Sequence, residues 1–174
     1  EDSDTVVAAG GNNYIYTGDG NDSVIAGAGN DTIDVGTNNL VGTFIGGGTT
    51  ANDSNNINFV NAGDGNNVVY GGSGTDTIIT GSGNDSINIY GGGTDSVLAG
   101  AGSDTVDVGI GSSKVYLEAG NDTFLFSQSN FADGTADTID GGSGYDSWVF
   151  TGLGQTPNLV SGVLSGDANI EYFE

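Results

Sequence analysis

The sequence predicts an all-β chain wound as a right-handed parallel β-roll, a β-solenoid of about 18 residues per coil closed by an irregular C-terminal cap. Three observations predict it: a nine-residue period, an apolar residue at one fixed place in every period, and a glycine content of 34 in 174 residues. Helices are excluded, because glycine recurs too often and no 3.6-residue pattern appears.

The period is plainest in GGSGTDTII (71–79), TGSGNDSIN (80–88) and AGAGSDTVD (99–107), with earlier copies TGDGNDSVI (17–25) and AGAGNDTID (26–34). Position six of the unit holds Asp4, Asn13, Asp22 and Asp31, then Asn58, Asn67, Asp76, Asp85, Asp95, Asp104, Ser113, Asp122, Asp137 and Asp146. Position eight holds Val6, Ile15, Val24, Ile33, Val60, Val69, Ile78, Ile87, Val97, Val106, Val115, Phe124, Ile139 and Trp148, all apolar and mostly β-branched, as a buried strand position requires. A six-residue turn followed by a three-residue strand with one inward side chain makes the unit. Two units turning in opposite senses close a coil, and coils stack at strand spacing of about 4.7–4.9 Å.

The array divides into a first repeat block at 1–34, an irregular coil or loop at 35–52 where the aspartate is lost, a main roll at 53–149, and a cap or the start of a next domain at 150–174. One residue is added near Ile89, and residues 126–136 form a longer excursion before Asp137. The tail supplies Leu159, Val160, Val163, Leu164, Tyr172 and Phe173, which suit a cover for the open end of the stack.

Composition bounds the partners. Against 23 acidic residues stands only Lys114, for a formal charge of −22. Such a surface repels nucleic acid and anionic lipid, and no apolar run reaches the length of about 18 residues that a membrane span needs. Acidic, glycine-rich chains are often disordered, so the charge calls for a cation before the chain can compact. With no Cys or His, the donors in the turns are carboxylates and glycine carbonyls, hard oxygen ligands that select calcium and exclude zinc and copper. Glycine serves the turns because it reaches positive φ and lets several carbonyls face one side.

Units on opposite sides do not meet, so turns 18 residues apart do. One column stacks Asn58, Asp76, Asp95 and Ser113, and the other stacks Asn67, Asp85, Asp104 and Asp122. Earlier, Asp4 pairs with Asp22 and Asn13 with Asp31. Metal is expected between consecutive members, with the second column the better. Asn13, Asn58 and Asn67 keep an oxygen but lose charge, and Ser113 beside Lys114 makes the weakest turn.

These residues resemble the repeats-in-toxin family of bacterial type I secreted proteins, whose nonapeptide reads G-G-x-G-x-D-x-U-x with U a large apolar residue. The resemblance implies calcium between stacked turns, held by carbonyls of the first four turn positions and carboxylates of position six. The strongest cage it implies joins Gly81, Ser82, Gly83 and Asp85 to Gly100, Ala101, Gly102 and Asp104. Asp76 with Asp95 follows, using Gly72 and Gly74, and then Asp104 with Asp122, using Gly120. About four to eight ions are expected.

Other motifs fail on context. GDGNDS and GAGNDT precede no helix, so a phosphate loop is excluded, and no EF-hand spacing occurs. Without His or Cys the common nucleophile–base pairs are missing, and Asp19, Asp34, Asp107, Glu118 and Asp140 read as solvated surface, so no active site is expected. Position nine stacks Asn61, Ile79, Leu98 and Tyr116 on one face and Tyr70, Asn88, Asp107 and Leu125 on the other. The apolar members suggest either packing against another domain or another copy, or cover by the 35–52 segment or the C-terminal tail.

Two functions compete. One is a calcium-stiffened module of a secreted or cell-surface protein of surface-layer or adhesin type, folding after export into a calcium-rich exterior. Its partners would be calcium and a second copy or a cell-surface polysaccharide. The alternative is a non-catalytic module of a secreted protease, lipase, epimerase or toxin, which catalytic motifs elsewhere in the parent gene would reveal.

Overall fold

A computed structural model describes residues 3–18, 20–35, 57–89, 93–127 and 137–151, and the regular structure among them is all β-strand. The strands are β1 (Thr5–Val7), β2 (Tyr14–Tyr16), β3 (Ser23–Ile25), β4 (Thr32–Asp34), β5 (Ile57–Gly63), β6 (Val68–Tyr70) and β7 (Thr75–Thr80). They continue as β8 (Ser86–Ile89), β9 (Ser96–Leu98), β10 (Thr105–Val108), β11 (Lys114–Tyr116), β12 (Thr123–Ser127), β13 (Thr138–Asp140) and β14 (Ser147–Thr151). Odd-numbered strands form one seven-stranded sheet and even-numbered strands a second. Every pairing is parallel, as in Val6↔Val24, Ile78↔Val97 and Val106↔Phe124. Alternation of successive strands between two parallel sheets is the β-roll read from the repeat.

The position-eight side chains form the spine of the core. Val24, Ile33, Val60, Val69, Ile78, Val97, Val106, Val115 and Phe124 are wholly buried, whereas Val6 and Trp148 in the end coils are only partly covered. The expectation of one inward side chain per unit is too small. Position one faces inward as well, burying Ala26, Val35, Ala62, Thr80, Ile89, Ala99, Val108 and Leu117. The reason is strand alternation carried past the three-residue strand: positions six, eight and one lie on the inner side, and positions seven and nine on the outer. At the C-terminal end Phe124, Phe126 and Trp148 cluster with ring centroids 4.5–5.6 Å apart.

The added residue at Ile89 lengthens β8 and stretches the coil, so that Asp76 and Asp95 stack 19 residues apart instead of 18. The excursion expected at 126–136 lies mostly outside the described residues, but its flanks stack 24 apart, as in Ser113 on Asp137. The segment expected as an irregular coil or loop at 35–52 also lies outside them, apart from Val35. On either side of it β3 pairs directly with β5 and β4 with β6, so the two repeat blocks form one continuous stack. The expected cap at 150–174 falls outside the described residues beyond Thr151.

Candidate metal sites in the turn columns

Position six stands where each turn enters a strand, and the alternation just described turns its side chain inward. Asp22, Asp31, Asn58, Asn67, Asp76, Asp85, Asp95, Asp104, Ser113, Asp122 and Asp146 are buried, Asp137 is half-buried, and Asp4 in the first coil is exposed. Each side chain reaches back to the coil before it. The amide of Asp4 donates to Oδ1 of Asp22 (2.9 Å), that of Asp22 to Oδ1 of Asn58 (3.1 Å), and that of Asp76 to Oδ1 of Asp95 (2.9 Å). In the second column Asn13, Asp31, Asn67, Asp85, Asp104 and Asp122 donate in turn to Oδ1 of Asp31, Asn67, Asp85, Asp104, Asp122 and Asp146, at 2.7–3.0 Å.

In six of these aspartates one oxygen is thus committed and the other is not. Oδ2 of Asp22, Asp31, Asp76, Asp85, Asp104 and Asp122 is buried and meets no hydrogen-bond donor. A buried, unpartnered carboxylate oxygen is costly, because neither water nor a donor offsets its lost solvation. Burial accordingly pushes the carboxyl of Asp76 up to about 8, with the neighbouring Asp95 charge adding to it. Burial likewise lifts Asp95, Asp104 and Asp122 to about 6, against amide hydrogen bonds that pull the other way, and raises Asp85.

The turns stack as closely as the strands. The amide of Ala101 donates to Gly81 O (2.9 Å), that of Gly83 to Ala101 O (2.7 Å), that of Gly65 to Ser82 O (2.7 Å), and that of Ala119 to Gly100 O (2.9 Å). Gly81, Ser82 and Gly83 therefore lie directly against Gly100, Ala101 and Gly102, with Ser82 bridged to Ala101 and Ala101 to Ala119. In the other column Gly74 bridges to Gly93, and Gly72 has φ +84°. Gly120 continues the second column through its amide bond to Ser143 O. Several carbonyls that the resemblance assigns to calcium already accept an amide hydrogen, each retaining a second lone pair.

A further ladder was missed in the sequence. At position five the amides of Asn30, Asn66, Asn84 and Ser103 donate to the side-chain oxygens of Asn12, Asn30, Asn66 and Asn84 at 2.7–2.9 Å, and Tyr145 donates to Asn121. The recurrence of asparagine before the position-six residue was the available signal. Asp64 plays a related part, accepting from both the amide and the hydroxyl of Ser82, which holds its carboxyl below the usual range.

The donor set fits a hard cation. Every candidate atom is oxygen, and six of them are buried carboxyl oxygens without a donor. Among the described residues no three carboxylates gather at one point. Any ion held here must therefore draw most of its ligands from backbone carbonyls, with carboxylates from adjacent coils completing the set.

Comparison with known families matches the chain to the RTX calcium-binding nonapeptide repeat in four copies, over residues 1–33, 52–87, 89–124 and 131–147. The chain belongs to this family. Comparisons with curated proteins and with solved structures returned no significant match. Among the described residues no helix is long and apolar enough to cross a membrane.

Proposed function

We propose that this member of the RTX calcium-binding nonapeptide repeat family is a non-catalytic β-roll module of a secreted or cell-surface bacterial protein, of surface-layer or adhesin type. In this reading calcium drives folding after export, and the folded roll serves self-assembly or surface attachment. The observation that carries it is the row of buried Oδ2 atoms on Asp22, Asp31, Asp76, Asp85, Asp104 and Asp122 that no donor meets. A chain that lines its interior with anionic oxygens lacks something positive.

The residues assigned to the ions are the position-six side chains Asp4, Asp22, Asp31, Asn67, Asp76, Asp85, Asp95, Asp104, Asp122, Asp137 and Asp146, with the carbonyls of Gly72, Gly74, Gly81, Ser82, Gly83, Gly100, Ala101, Gly102 and Gly120. Bound calcium would supply the positive charge that lets these oxygens stay ionised inside the roll. In Asp22, Asp31, Asp76, Asp85, Asp104 and Asp122, Oδ1 bonds to the coil before while Oδ2 remains for the ion, so one side chain links coil stacking to metal occupancy. Without that charge the two columns repel along their length, which suits a chain that must stay unfolded in a low-calcium cytosol and fold outside.

Attachment is supported by the outer face of the odd-numbered sheet. Position nine there aligns Val7, Ile25, Asn61, Ile79, Leu98, Tyr116 and Asp140, of which Val7 is 70 % and Tyr116 42 % exposed. A mainly apolar column, interrupted by Asn61 and ending on Asp140, suits contact with a second surface.

Circular dichroism during calcium titration of the metal-stripped chain tests the reading, with magnesium as control. A cooperative rise of β signal at about 10⁻⁴–10⁻³ M calcium, absent with magnesium, is expected. A spectrum already folded and unchanged in excess chelator would overturn it.

A further inference from the structure

The two position-six columns contain three asparagines between them, and their amides behave differently from the carboxylates around them. Asn67 and Asp85 occupy equivalent places in adjacent coils, and Oδ1 of each accepts the amide of the residue stacked before it, Asp31 for one and Asn67 for the other. That acceptor role fixes the orientation of the asparagine amide: only oxygen can receive an N–H, so Nδ2 takes the place that Oδ2 takes in aspartate. In Asp85 this atom is buried without a donor. In Asn67 it donates to Gly63 O at 3.0 Å and Gly65 O at 3.1 Å. Those carbonyls lie four and two residues before Asn67, as Gly81 and Gly83 do before Asp85, where they are assigned to the ion.

The other two asparagines are donors as well. Nδ2 of Asn58 donates to Oδ1 of Asp76 (2.8 Å), and Nδ2 of Asn13 donates to Gly11 O (2.8 Å) and Oδ1 of Asp31 (3.0 Å). Only the Gly11 carbonyl corresponds to the turn oxygens that Asn67 meets, because Oδ2 of Asp31 and Asp76 still has no donor. Asn58 and Asn67 are also the residues on which Asp22 and Asp31 stack across a separation of 36 residues, where the first block meets the main roll.

We infer that Asn67 is a built-in cation surrogate, its side-chain amide closing on the Gly63 and Gly65 carbonyls where the equivalent turn of Asp85 would hold an ion. This rests on the calcium reading above and deepens it: the Asn67 turn needs no metal, while Asp22 and Asp31, which stack on Asn58 and Asn67, keep buried Oδ2 atoms without a donor and retain their demand for it. It also takes Asn67 out of the ligands assigned above: its turn is completed without an ion.

The test is calcium counted by equilibrium dialysis, with the calcium midpoint of the β signal, on the wild type, Asn67→Asp and Asp85→Asn. Asn67→Asp is expected to bind at least one more ion and to need several-fold more calcium to fold. Asp85→Asn is expected to bind at least one fewer and to fold at lower calcium. Unchanged stoichiometry and midpoint in Asn67→Asp, with the wild type still binding calcium, overturns the surrogate role alone. Should Asn67→Asp fail to fold at saturating calcium, Asp85→Asn decides: a folded roll with fewer ions supports the role, and an unfolded one overturns it. A wild type that binds no calcium overturns the calcium reading itself.

Discussion

At the scale of single residues, the turns are governed by how near one backbone lies to the next. Position four carries glycine because stacking leaves no room for anything else: a Cβ on Gly83 would collide with Gly65 O, one on Gly102 with Gly83 O, and one on Gly120 with Gly102 O. Gly102 also sits at φ +142°, where L side chains are strained. Position two is stacked as closely, since a Cβ on Gly63 or Gly100 would also collide with a carbonyl of the coil before, and its backbone is left-handed. Gly27, Gly63, Gly100 and Gly142 hold φ between +75° and +105° there, and Glu118 takes the same conformation at +71° as the one non-glycine residue with positive φ among those described. Two substitutions should therefore move stability in opposite directions. In thermal melts at saturating calcium, Gly102→Ala is expected to cost about 2 kcal/mol or more, combining backbone strain with overlap against a carbonyl that cannot move aside. Glu118→Gly is expected to gain up to about 1 kcal/mol by relieving the left-handed conformation. Equal and small effects of both would show that the turns are not closely stacked.

At the scale of the repeat, the inner side of each unit carries a carboxylate at position six and apolar groups at positions eight and one, so the charge adjoins the core. Its consequence for pH has a definite sign. In the folded, metal-free chain burial raises Asp76 to about 8 and Asp95, Asp104 and Asp122 to about 6, whereas the unfolded chain releases these protons near the ordinary aspartate value of 3.8. Between those limits the folded state binds more protons, so stability falls as pH rises. Metal-stripped chain should show more β signal at pH 5 than at pH 8, and calcium binding at pH 7 should release protons to the buffer. A metal-free chain better folded at pH 8 would contradict the burial of these carboxylates. The same repeat explains what could be read beforehand. Positions six and eight recur with one chemistry in nearly every coil, so the roll, its two columns and its buried spine were legible from spacing alone. Position one was not, since it accepts Ala, Val, Thr, Ile and Leu, and only the strand alternation reveals its direction. The donation from Asn67 to Gly63 and Gly65 was hidden too: sequence reports that charge is lost, not that the replacing amide turns donor toward the turn carbonyls.

At the scale of the molecule, a formal charge of −22 on 174 residues raises the question of whether calcium acts through sites or only as a counter-ion. Both would favour compaction, but they differ in how they depend on salt. General repulsion between exposed carboxylates such as Asp64 and Glu118 is screened by any electrolyte, with a Debye length that falls to about 3 Å at 1 M. The buried oxygens of Asp22, Asp31, Asp76, Asp85, Asp104 and Asp122 are shielded from mobile ions, and only a cation that enters and is ligated can meet them. Magnesium is a poor substitute, since it prefers a small octahedral shell and gives up water reluctantly. The expected outcome is that 1 M sodium chloride in excess chelator leaves most of the β signal missing, while millimolar calcium at low ionic strength restores it. Recovery of the full signal in sodium chloride alone would place the folding requirement on overall charge rather than on the turn columns. The roll would then be a scaffold that any ionic medium assembles, without the calcium threshold on which folding after export depends.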